Sequence, residues 1–161
     1  MVCRRHSSLF IYPKQWFTKK SDLITFINLF LTHYFIFRLS MQKTVLIADD
    51  SMSVRKFVML ALKLQGVRVI SAVDGMDALE KAAVEKIDLL ITDLNMPNMD
   101  GYTLIKNLRG TPDYASLPII ILSSLSKDAD VQAGMDAGAD SYLVKPFNAK
   151  RLQYEVSKYI G

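Results

Sequence analysis

A single cysteine, Cys3, means that no disulfide can close within the chain. That is the pattern of a reducing compartment, so a cytoplasmic location is expected. Long apolar runs are scarce as well. The stretch Leu23 to Phe37, LITFINLFLTHYFIF, would span roughly 22 Å as a helix, short of the ~30 Å core of a bilayer. Asn28, Thr32 and His33 interrupt it, which makes it a poor membrane span. Small residues are missing where a signal peptide would be cut, since Phe37-Arg38-Leu39-Ser40 supplies no cleavage site. Basic residues precede the stretch, so as an anchor it would place residue 41 onward outside the cytoplasm. No charge excess marks the body of the chain either: residues 41–161 carry 14 basic and 15 acidic side chains. That balance gives no electrostatic footprint for nucleic acid. Internal repeats and low-complexity segments are also lacking.

What is present divides at residue 41. The first 40 residues hold nine of the 16 aromatic residues, none of the seven glycines, and six basic residues against Asp22 alone. They read as an aromatic, basic N-terminal extension outside the fold, upstream of a natural start at Met41; a membrane-associated helix is the competing reading. Residues 41–161 are long enough for one domain with a real core. The chain as a whole is 50% hydrophobic and 22% charged, ordinary for a folded soluble protein.

From Met41 the pattern is regular. Thr44 to Ala48 is a β-branched apolar run ending on Asp49-Asp50, and Ser51 caps a helix whose inward positions are Val54, Phe57, Val58, Ala61 and Leu62, stopped by Gly66. Val67 to Ser71 is a second strand. A helix from Asp74 carries a small-residue stripe of Ala78, Leu79, Ala82 and Ala83. The run IDLLITD ends a third strand on Asp93, followed by a helix with Tyr102, Leu104, Ile105 and Leu108 that closes near Gly110. Strand four, IIIL, leads to Ser123-Ser124, and a helix covers about Lys127 to Ala137. Strand five is Ser141 to Val144, then Lys145-Pro146 and a helix capped by Asn148 with Leu152, Val156, Tyr159 and Ile160 inward. Five strands alternating with five helices predict an α/β fold, a doubly wound parallel sheet covered on both faces.

The strand ends carry the chemistry. Asp49 and Asp50 follow strand one, Asp93 strand three, Ser123 strand four and Lys145 strand five, so in a parallel sheet they share one edge. Three carboxylates within ~5 Å repel by about 3 kcal/mol per pair at an effective dielectric of ~20, so something must compensate. An oxygen-only donor set suits a hard divalent cation, Mg²⁺, completed by waters and a backbone carbonyl. With Lys145 alongside, Asp93 becomes a candidate carboxylate nucleophile toward phosphorus, and Ser123 a hydroxyl donor to the transferring oxygens. Asp74-Gly75 and Asp100-Gly101 read as turns.

The motifs ADDS at 48–51, TDLNMPNMDG at 92–101, ILSS at 121–124 and AGADSYLVKPF at 137–147 resemble the receiver domain of two-component response regulators, most closely the single-domain chemotaxis (CheY-like) type. The resemblance covers residues 41–161. It implies the flavodoxin-like strand order 2-1-3-4-5, for which general descriptions of such sheets cite this same family. It further implies that Asp93 accepts phosphate from a histidine kinase. Asp50, Asp93 and the backbone carbonyl of Asn95 would bind Mg²⁺, with Asp49 assisting through water. Lys145 would contact the phosphoryl group and precede a cis peptide at Pro146. Ser123 and Tyr142 would form the switch pair, the hydroxyl moving toward the phosphate and the ring turning inward. Leu125 would sit where the family tunes dephosphorylation.

The fifth helix meets the chain terminus, so the expected output is a target protein bound by a monomer, with no nucleic acid and no membrane for residues 41–161, in chemotaxis or motility. The domain is expected to assist its own phosphoryl transfer and dephosphorylation and not to be a dedicated enzyme. The alternative is a phosphorelay intermediate or phosphate sink passing phosphate to a histidine phosphotransfer protein. An aspartyl hydrolase is disfavoured because Asp93-Leu94-Asn95 lacks a second acid. A flavin carrier is disfavoured because no Ser/Thr/Gly-rich loop follows strand one.

Overall fold

The computed structural model describes residues 24–25, 27–33 and 42–160. The chain divides into two compact units, Met1–Met41 and Gln42–Gly161. In the first, the described residues are helical and exposed. Cys3, the basic residues and most of the aromatic residues of the extension lie outside the described residues. Among the described residues no helix is long and apolar enough to cross a membrane.

The second unit is built on five strands: β1 (Thr44–Ala48), β2 (Arg68–Ala72), β3 (Leu89–Thr92), β4 (Ile119–Ser123) and β5 (Ser141–Val144). All pairings are parallel and the order is β2-β1-β3-β4-β5, as the resemblance implied. Five α-helices alternate with them: α1 (Met52–Lys63), α2 (Gly75–Val84), α3 (Gly101–Arg109), α4 (Asp128–Asp136) and α5 (Ala149–Ile160). A short 3₁₀ turn, Pro112–Tyr114, follows α3.

Alternation along each strand sends side chains to both faces of the sheet. Val45 and Ile47, Leu89 and Ile91, and Ile120 and Leu122 pack with Val58, Leu62, Leu152 and Val156, which places α1 and α5 on one face. Leu46, Leu90, Ile119 and Ile121 pack with Ala78, Ala82, Leu104 and Ile105, so α2 and α3 cover the other. Every residue of β1, β3 and β4 is buried, which explains why these segments read as unbroken apolar runs and not as alternating ones.

Several boundaries move by a residue. β2 begins at Arg68 and ends at Ala72, and β3 ends at Thr92, so Asp93 stands just beyond the strand and not as its last residue. α1 stops at Lys63, before Gly66. Phe57, read as inward from its helical spacing, is exposed and sits edge-on to Phe147 with ring centroids 5.7 Å apart. Ala83 is exposed too, which narrows the inward stripe of α2 to Ala78 and Ala82 with Leu79 half-buried. A helix turns 100° per residue, so a four-residue stripe inferred from spacing overestimates a face that the short strands β1 and β2 cannot fully cover.

Candidate metal centre and acceptor aspartate

The parallel register fixes where the functional groups fall. Ala48 pairs with Thr92, Thr92 with Ile121, and Ser123 with Val144. The next residue along each of β1, β3 and β5 is Asp49, Asp93 and Lys145, so the sheet delivers two carboxylates and an amine to one edge. Backbone bonds continue the ladder past the strand ends, from Asp93 N–H to the Ala48 carbonyl and from Lys145 N–H to the Ser123 carbonyl, both at 2.8 Å.

Asp49, Asp50 and Asp93 each present an oxygen within 4.8 Å of the others. Asp49 is wholly buried, Asp93 nearly so, and Asp50 is exposed. Lys145 Nζ donates to Asp49 Oδ2 at 2.7 Å and to Asp93 Oδ2 at 2.8 Å. The other Asp49 oxygen accepts the Ser51 N–H at 2.8 Å, and Asp93 Oδ1 accepts the Leu94 N–H at 2.7 Å. Arg55 braces the first loop from outside, donating to the backbone carbonyls of Asp49 at 2.6 Å and Asp50 at 2.9 Å.

Burial pushes the Asp49 carboxyl above its ordinary pKa, and the bonds from Lys145 and Ser51 only partly offset it. Burial also pulls the Lys145 amine down, but the two carboxylates outweigh it and the amine titrates above its ordinary value. Lys145 is therefore a fixed positive charge at neutral pH. One ammonium against three carboxylates leaves two negative charges, all on oxygen donors open to solvent at Asp50. That residue of charge and that donor chemistry fit a divalent hard cation.

Ser123 is fully buried at the end of β4, where its Oγ accepts the Leu125 N–H at 3.3 Å. Tyr142, on the neighbouring β5, packs its ring against the core on the α2–α3 face. Its hydroxyl donates to the Leu125 carbonyl at 2.9 Å and meets Ser123, while burial raises its pKa. The two residues read as a switch pair are thus joined through Leu125. The Lys145–Pro146 peptide is cis. Asn95 is exposed on the loop after Asp93, two residues ahead of Pro97.

Two dipeptides read as turns do more than turn. Asp74 and Asp100 are the N-caps of α2 and α3, accepting the N–H of Asp77 and Thr103. Gly101 lies against the loop that carries Asp93: a Cβ there would come 2.1 Å from the Asp93 carbonyl oxygen and 2.9 Å from Leu94 Cα. An Asp-Gly followed by amphipathic spacing is also a helix-start signal, the one already read at Asp74 and equally present at Asp100.

A family model, the response regulator receiver domain, matches residues 45–157. The chain belongs to the response regulator receiver family of two-component systems. The KDP operon transcriptional regulatory protein KdpE of Escherichia coli is 42% identical over 109 residues, which are 68% of this chain and 47% of that protein. The chemotaxis response regulator CheY4 of Vibrio cholerae is similar in structure with a TM-score of 0.70 and 36% identity, covering 73% of this chain and 98% of that one. The receiver domain of sensor histidine kinase PA1611 from Pseudomonas aeruginosa, solved with a magnesium ion coordinated in its active site cleft, gives a TM-score of 0.69 at 28% identity, covering 74% of this chain and 98% of that one. The chain spans about half the length, or less, of the first curated relatives it matches. Receiver domains bind Mg²⁺ in an acidic active site, and in this chain Asp49, Asp50 and Asp93 form a cluster of carboxylates that could hold a metal ion.

Proposed function

We propose that this receiver takes a phosphoryl group on Asp93 from a phosphohistidine of a histidine kinase. The observation that carries the reading is the contact of one buried amine with carboxylates from two different strand ends, inside a three-carboxylate cluster. Asp50, Asp93 and the Asn95 carbonyl would hold Mg²⁺ directly and Asp49 through water; the cation would supply charge neutralisation at the transferring oxygens. A carboxylate oxygen of Asp93 forms the new bond to phosphorus as the donor's nitrogen–phosphorus bond breaks. Lys145, already on Asp93 Oδ2 at 2.8 Å, shifts its bond to a phosphoryl oxygen. Ser123 donates a hydrogen bond from its hydroxyl to another, and because Tyr142 and Ser123 share Leu125, that movement reaches the surface formed by α4, β5 and α5. One charge-assisted hydrogen bond, worth about 1.5–3 kcal/mol, is enough to shift a two-state equilibrium by roughly ten- to a hundredfold.

The output is a protein bound at that surface by a cytoplasmic monomer. Likeness to CheY4, nearly all of whose length is covered, supports a chemotaxis or motility target. A second reading, the receiver part of a transcriptional regulator, draws on the higher identity to KdpE. Residues 1–40 we place outside the receiver fold, in keeping with the division of the chain at Met41.

Acetyl phosphate with Mg²⁺ is expected to add one phosphate by intact mass, and Asp93→Asn to abolish it. Equal labelling of the variant would remove Asp93 from the role. Capture of partners by the phosphorylated protein separates a motility component from a histidine phosphotransfer protein, the phosphorelay alternative.

A further inference from the structure

The loop between Asp93 and α3 is tied to a distant part of the chain. Asn98, with φ at +58°, donates its side-chain N–H to Asp74 Oδ2 at 2.6 Å. Its neighbour Met99 accepts the Gly75 N–H on its backbone carbonyl at 3.1 Å. Asp74 is buried, and its other oxygen is fixed by the Asp77 N–H at 2.9 Å. No side chain fits at Gly75, since a Cβ would stand 2.7 Å from both the Met99 carbonyl oxygen and Cγ. The same β2–α2 junction is bonded on its other side, where the Asp49 N–H donates to the Ala72 carbonyl at 3.2 Å. Residues 72–75 therefore hold both loops of the acidic site at once, one bearing Asp49 and Asp50 and the other bearing Asn95.

We propose that Asp74, Gly75 and Asn98 form a clasp that sets the spacing between the Asp49–Asp50 loop and the Asn95 carbonyl, and thereby the preference of the site for Mg²⁺ over larger cations. They are positioning residues, not ligands. The proposal deepens the reading of this site as a Mg²⁺-dependent phospho-acceptor and rests on it. Mg²⁺ requires near-octahedral oxygen geometry at about 2.0–2.1 Å, whereas Ca²⁺ accepts looser shells at about 2.3–2.6 Å. A loop released by a few tenths of an ångström thus forfeits Mg²⁺ before Ca²⁺. Groups that orient ligands from behind commonly change metal affinity by about 10- to 100-fold.

The test is calorimetric titration of the full chain with MgCl₂ and separately with CaCl₂. Asn98→Gly removes the amide while tolerating positive φ. It is expected to weaken Mg²⁺ about tenfold and Ca²⁺ by no more than about twofold. Asp74→Ala should show the same selectivity change. Asp74→Asn should restore near-parental Mg²⁺ binding, because its amide still caps α2 and can pair with a flipped Asn98. Unchanged Mg²⁺ affinity in Asn98→Gly, or an equal loss for both cations, overturns the clasp while leaving the site reading intact. A parental protein that binds no Mg²⁺ overturns the site reading, and the clasp with it.

Discussion

Replacing Lys145 by methionine removes the positive charge from the cluster while keeping an unbranched side chain only one atom shorter. Its ammonium contacts two carboxylates that are almost fully withdrawn from water and is itself mostly buried. Deleting one partner of such a buried arrangement typically costs about 3–5 kcal/mol. An upper limit comes from proton uptake. Once repulsion among the three carboxylates grows large enough, one of them protonates instead, and at pH 7 this caps the loss near about 4 kcal/mol, since each pH unit above an ordinary carboxylate pKa is worth about 1.4 kcal/mol. The expected destabilisation at pH 7 is therefore roughly 3–4 kcal/mol in the absence of divalent cation.

The sign with pH follows from the carboxylates. Burial already raises the Asp49 pKa, and loss of Lys145 raises it further. A carboxyl whose folded pKa is raised contributes its stability below the unfolded pKa and loses it as pH rises through the folded value. The deficit of Lys145→Met should then be small near pH 4 and grow toward neutrality. Urea unfolding followed by far-ultraviolet circular dichroism, at pH 4 and 7 with and without Mg²⁺, measures it. Mg²⁺ at pH 7 should return more stability to the variant than to the parent, because a bound cation offsets the same repulsion. A deficit under about 1 kcal/mol at pH 7, or one independent of pH, would refute a charge-compensated cluster.

Gly101→Ala should destabilise by about 3 kcal/mol or more, because the added methyl meets the Asp93 backbone and not a yielding side-chain tip; thermal unfolding checks it, and phosphate uptake should fall in parallel. Arg109 donates to the carbonyls of Tyr114, Leu117 and Gly138 and to Asp140. Arg109→Ala should cost about 3 kcal/mol in urea midpoint measurements with little change in Mg²⁺ affinity, since this network lies away from the acidic edge. Asp88 is the pH test of the opposite sign. Burial raises its pKa, but the Thr44 N–H at 2.9 Å and Lys43 at 3.1 Å outweigh that and leave it lowered. Its contribution is present above the unfolded carboxylate value and lost as pH falls through the lowered folded one. Asp88→Asn should therefore flatten the acid limb of the stability curve, and an unchanged limb would refute the assignment.

The strands were legible because burial on both faces leaves runs such as LLIT and IIIL with almost nothing polar in them. The acidic edge was legible for a related reason. In a parallel sheet every strand points the same way, so a polar residue that ends an apolar run belongs to one rim whatever the strand order. Asp49, Asp93, Ser123 and Lys145 could be grouped on that argument alone. The strand order itself came from the resemblance, since alternation of strands and helices is compatible with more than one winding.

Other features were set only by packing. Nothing in the periodicity of α1 shows that Phe57 turns outward to meet Phe147, a residue 90 positions later. Asp74 and Gly75 looked like a local turn, but they also bond to Asn98 and Met99, and only the placement of α2 beside the loop after Asp93 makes those contacts. Gly101 was a turn residue in the sequence and a point of backbone contact with Asp93 in space. The sequence alone determined which residues could carry charge, bend or be buried, because those are properties of the side chain and its neighbours in the chain. Tertiary structure decided which of them meet, because distances of a few ångströms between residues far apart in sequence are fixed by how helices settle on the sheet.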